Sequence, residues 1–135
     1  MLIEGSPVEK IPGLDVTRCV NESLLLQFFL LRFIAMIKWG DTGPGERLQH
    51  GIRTGFTDKY PHLASTMTAS SLAYARMMEN GPTDEAIWNA AAHYCGTVGT
   101  QRDATLIAAS AAWIAAQGEN FHNTLSKIAE ETRLT

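Results

Sequence analysis

The stretch LLLQFFLLRFIAMIKW, residues 24–39, constrains this chain more than any other, because only Gln27, Arg32 and Lys38 interrupt its apolar run. On a helix, Gln27 and Lys38 point almost the same way, and Arg32 lies about 140° from Gln27. No broad polar face is left for water, so most of the helix circumference must be covered by protein. Leaving even three of its large side chains exposed would forfeit about 1.5–3 kcal/mol each. Crossing a membrane takes about 20 apolar residues. The run is shorter than that, and it carries Arg32 at its middle, where a charge is expensive. Two arrangements remain: the hub of a bundle formed by one chain, or a hub completed by a second copy.

The rest of the chain supplies the covering helices. Its 135 residues suit one core. With 45% apolar and 19% charged residues the chain reads as a folded globule. Residues 1–14, with Pro7, Pro12 and Gly13, read as an extended lead-in, with Asp15 or Thr17 capping a first helix that runs to Trp39. GDTGPG, 40–45, is a stop signal, and Gly51 and Gly55 weaken a helical reading of ERLQHGIRTGF, 46–56, so 40–61 is expected to be loop-rich. A second helix fits 62–79, with Leu63, Met67, Tyr74 and Met78 on one side and Gly81-Pro82 ending it. A third begins after Thr83, carries Ile87, Trp88, Ala91 and Cys95, and closes at Gly96. Thr100 and Asp103 resemble a capping box for an Ala-rich fourth helix with Ile107, Ala111 and Ile114 on one stripe. A fifth, 119–133, turns Phe121, Leu125 and Ile128 inward. The expectation is an all-α, single-domain bundle of about five helices spanning 1–135.

Charge and cysteine usage narrow the function classes. A net charge of −3 without a Lys/Arg cluster argues against nucleic acid. Cys19 and Cys95 lack metal-type spacing and read as buried thiols in a reducing compartment, with an interhelix disulfide as the alternative. The opening residues lack a basic segment leading directly into an apolar core, so a cytoplasmic location is expected.

Catalytic and metal-binding patterns are sparse. A carboxylate-bridged di-iron bundle needs two Glu-x-x-His pairs, and Glu119–His122 is the one such spacing. Neither a metal nor a cofactor is expected. Glu85, Asn89 and His93 recur every four residues as a polar stripe, which would serve acid–base chemistry only inside a cleft. No nucleophile elbow, P-loop or dinucleotide fingerprint is present.

IPGLD (11–15), an apolar helix containing LLRF, then GD and ERLQHGIR (46–53) resemble the order of features in histidine-phosphotransfer domains. The resemblance covers roughly the first 60% of the chain. It implies a helical bundle with His50 as phosphoacceptor and Arg53 in place of an assisting lysine. Thr54 and Gly51 depart from that pattern: the family places a glycine where Thr54 stands, and Gly51 directly follows the histidine.

The first expectation is a non-catalytic, mildly acidic helical protein, a regulator, adaptor or inhibitor that works by binding another protein. Self-association as a homodimer through the first helix is included. Phe28, Phe29, Leu31, Phe33 and Trp39 are the expected interface anchors, because interface energy concentrates in buried aromatics. No membrane partner is expected.

Overall fold

The computed structural model describes residues 16–40, 43–81, 83–97 and 104–132. These form five α-helices: α1 Val16–Trp39, α2 Gly43–Lys59, α3 Ala64–Met77, α4 Asp84–Thr97 and α5 Ala104–Thr132. No strand occurs among the described residues, and the all-α bundle expected from the sequence is what the chain forms.

The apolar run is the hub. α1 touches each of the other four helices, and Leu24–Leu26, Phe28–Leu30, Ala35 and Trp39 are buried within the single chain. It stops where the glycine requires. Gly40 adopts φ +58 and donates its N–H to the Met36 carbonyl at 2.8 Å, the left-handed cap that ends many helices. Thr17–Trp39 is long and apolar enough to cross a membrane by length and composition, more so than 24–39 suggests alone; half of its apolar window is buried inside the bundle.

Two expectations about helix boundaries are corrected. The segment expected to be loop-rich is α2, which resumes at Gly43 and continues through Gly51 and Gly55, neither of which has a positive φ. Leu48, Ile52 and Phe56, four residues apart, pack on α1 and supply the tertiary stabilisation that outweighs the glycines' weak propensity. The two helices expected at 104–117 and 119–133 are one, α5. Ile107, Ile114 and Phe121 lie seven apart and are buried, so the apolar stripe crosses Gly118 in phase and nothing breaks the helix. Ile128, expected inward, is exposed.

The other boundaries agree with the sequence reading to within a turn. A 3-10 turn at Pro61–Leu63 leads into α3, whose Leu63, Met67, Tyr74 and Met78 face is buried. Thr83 caps α4, its hydroxyl accepting the Ala86 N–H at 3.1 Å. Thr17 lies inside α1. The 1–14 lead-in, Asp15 and the Thr100–Asp103 capping box fall outside the described residues.

One core joins α1, α3, α4 and α5 around Leu26, Tyr94, Ile114 and Phe121; a smaller one joins α1, α2 and the start of α3 around Phe28, Leu63 and Met67. In the larger core Ser23 donates to the Cys19 carbonyl at 2.8 Å. That uses its single proton, so Tyr94, whose hydroxyl oxygen lies 2.6 Å from Ser23 Oγ, is the donor of their bond. Both cysteines are buried thiols outside any disulfide, with Cys95 Sγ 3.5 Å from Ser110 Oγ.

Candidate functional site

Two cavities flank Phe28, which lines both. Each is built where α2 crosses α1.

The first, about 300 Å³, lies between α1, α2 and α3. Phe28, Phe29, Phe33 and Met67 give it apolar walls, and Met36 and Leu72, 44% and 57% exposed, stand at its edge. Arg32 and Arg53 add two cations. Arg32 Nε donates to Gln49 Oε1 at 2.8 Å, Gln49 Nε2 returns a bond to the Arg32 carbonyl at 2.8 Å, and the guanidinium sits 5.6 Å from the Phe28 ring centre. This locks one edge of Arg32 across the α1–α2 crossing. Burial, and after it the charge of Arg53, lowers the Arg32 pKa from its ordinary value. No carboxylate pairs with either arginine among the described residues. Ser71 Oγ on the same wall is buried without a hydrogen-bond partner.

The second cavity, about 270 Å³, lies between α1, α2 and α5. Phe28, Phe56 and Tyr60 form a ladder of rings 4.6 and 5.1 Å apart, with Lys59 Nζ 5.6 Å from the Tyr60 ring. Gln27, 4% exposed, is on its wall, and neither its amide nitrogen nor its oxygen has a partner. Gly51 and Gly55, one turn apart on α2, form part of the opposite side.

A third cavity of about 300 Å³, between α1, α4 and α5, has Glu119 and His122 on a lining of Leu30, Phe33, Ile34 and Ile114. No buried unpartnered polar atom lines it. That separates it from the first two.

Of the expected interface anchors, Phe28, Phe29 and Trp39 are committed to the chain's own interior, while Leu31 and Phe33 are half-buried. Among the described residues of α1, the exposed large apolar side chains are Val20, Met36 and Ile37, the last at 59%. His50 is exposed on α2, with Nε2 3.5 Å from Thr54 Oγ. His93 packs edge-on to Tyr74 at 5.3 Å and lines a different cavity, which includes neither Glu85 nor Asn89; both of those are exposed. His62 lies 3.3 Å from Asn21 Oδ1. Among the described residues no three His, Cys, Asp or Glu side chains come together as a metal site.

Compared with protein-family models, curated proteins and solved structures, the chain matches none. Sequence reasoning missed Gln49, Ser71 and the two glycines as parts of a site. The available signal was the polar Gln27 and Arg32 inside an apolar run, opposite a helix whose apolar positions 48, 52 and 56 are interrupted by glycine.

Proposed function

We propose that this protein works by binding another protein, not by catalysis, and that the groove between α1, α2 and α3 is its recognition surface. The observation carrying this reading is a pair of guanidiniums, Arg32 and Arg53, without a carboxylate partner among the described residues, over apolar walls edged by exposed Met36 and Leu72. Two adjacent like charges in a partly dry site gain most from a carboxylate, and Arg offers it a two-pronged donor edge. The partner is therefore an amphipathic segment with acidic side chains beside apolar ones, laid into the groove. A cytoplasmic setting belongs to the same proposal.

Capture from native lysate tests it, with the wild type as bait and Arg53→Glu/Leu72→Asp as the control. Both positions are exposed, so the control bait keeps its core. An acidic protein retained by the wild type and lost from the control supports the reading; identical captures contradict it. Self-association remains a proposal on narrower ground, since Met36 and Ile37 are the large apolar side chains α1 leaves open at its C-terminal end. It calls for a mass of twice 14.8 kDa in light scattering, lost in Ile37→Asp.

A second reading is phosphoryl acceptance at His50. Its exposure in mid-helix, with Arg53 three residues on, favours it. A small phosphodonor such as phosphoramidate should label the wild type and not His50→Gln; equal labelling of both removes the reading.

A further inference from the structure

Helix α2 carries a feature that its packing does not need. Glycine in a helix interior weakens the helix relative to alanine, because it has more backbone freedom to lose. Such a glycine is accounted for when the backbone has a positive φ or when a neighbour approaches too closely for a Cβ. Neither holds at Gly51 or Gly55: both lack a positive φ, and a Cβ built on either meets nothing within 4 Å. Both line the cavity that holds Gln27. Their missing side chains leave that cavity open.

Gln27 is the independent half of the argument. Its carboxamide is enclosed, with two N–H donors and an acceptor unused. A buried amide without partners is destabilising, and a leucine at this place in the run would remove the penalty. So three positions around one cavity are filled by residues that weaken the fold, and the three share one use. They leave room for something that enters, with an unpartnered amide belonging to a residue of the cavity's wall.

The lining defines the guest. The Phe28–Phe56–Tyr60 ladder, with Leu24 and Ile52, favours a flat ring over a flexible chain or an ion. A carboxamide is matched by its own complement, an adjacent donor and acceptor, and a carboxylate would leave its N–H donors satisfied but its oxygen repelled. About 270 Å³ is room for one or two fused rings. We propose that the cavity between α1, α2 and α5 is a small-molecule site for a neutral planar heterocycle with a lactam-type edge, read by Gln27 and admitted by Gly51 and Gly55. This site is separate from the arginine groove and stands whether or not that groove binds a protein.

The test uses 2-quinolinone, a two-ring lactam, and N-methyl-2-quinolinone, which keeps the ring and carbonyl but has no N–H. Each is titrated into the whole ¹⁵N-labelled chain while the Gly51 and Gly55 amide signals are followed. The expected result is saturable movement of both signals with 2-quinolinone, and affinity roughly 10-fold weaker for the N-methyl compound, as for loss of one hydrogen bond. In Gln27→Leu the two compounds should bind alike, and Gly55→Leu, which fills the cavity from its helix side, should bind neither. No saturable shift at Gly51 and Gly55, equal binding of both compounds by the wild type, or a preference retained in Gln27→Leu would each overturn the assignment. The wild-type comparison needs no variant to fold.

Discussion

The α4–α5 side of the hub and its α2 side differ in how they treat polar groups. Toward α4 and α5, Ser23 joins the Cys19 carbonyl to the Tyr94 hydroxyl, and Cys95 lies beside Ser110, so buried polar atoms connect helices. Where a polar atom there lacks a partner, as at Tyr74 Oη, Trp113 Nε1 and Gln117 Oε1, it lies in a large side chain that is otherwise buried and lines neither cavity beside Phe28. Toward α2, the unpartnered atoms belong to Gln27 and Ser71, residues that line cavities, and Arg32 and Arg53 have no carboxylate partner among the described residues. The first side has the character of a core. The second has that of a surface waiting for chemistry from outside. An orphan polar group therefore points to binding only when there is space beside it.

The sharpest way to break this contrast is to truncate one apolar residue on each side. Leu26→Ala, at 0% exposure, is expected to lose about 3 kcal/mol in urea unfolding, and Ile52→Ala on half-buried α2 about 1 kcal/mol. Equal losses would mean that α2 is as much core as α4 and α5. Next in size is Ser23→Ala, which removes the bridge between α1 and α4. Thermal or urea unfolding should show a loss of about 1–3 kcal/mol; no loss would remove the claim that this side depends on its hydrogen bonds.

The smallest effect is expected at Tyr74, where the hydroxyl has no partner. Tyr74→Phe should leave stability within about 1 kcal/mol of the wild type, or raise it. Burial first, then the charge of Glu22 and the neighbouring Tyr94 and Cys95, raises the Tyr74 pKa above the ordinary phenol range. The unfolded chain then releases this proton first, so Tyr74's contribution is complete below pH of about 10 and declines as pH rises further. Stability measured between neutral and strongly alkaline pH should fall less steeply in Tyr74→Phe. An unchanged slope would contradict the assigned cause.

The hub was legible because its signal is one-dimensional: an apolar run ended by Gly40. The buried face of α3 was legible from Leu63, Met67, Tyr74 and Met78 for the same reason. α2 was not, because Gly51 and Gly55 argue locally against a helix, and the contacts of Leu48, Ile52 and Phe56 that sustain it come from α1. The continuity of α5 was hidden by Gly118, although Ile107, Ile114 and Phe121 kept their phase across it. Anchors chosen by aromatic content, such as Phe28 and Phe29, proved to be the chain's own core, since composition does not say whose surface covers a ring. The site was least legible of all. A cavity is an absence shared by three helices, and Gln27 in a sequence reads as one polar interruption.

The central claim is that Gln27, Gly51 and Gly55 are kept at the expense of the fold, and it can be tested without any ligand. The measurement is urea unfolding of Gln27→Leu/Gly51→Ala/Gly55→Ala beside the wild type. Each glycine replacement should add about 0.5–1 kcal/mol, and removing the unpartnered amide about 1–2 kcal/mol more. The expected result is a variant more stable by about 2 kcal/mol or more. A variant less stable than the wild type would show that these three residues serve packing, and would contradict the division of the molecule into a core side and a binding side.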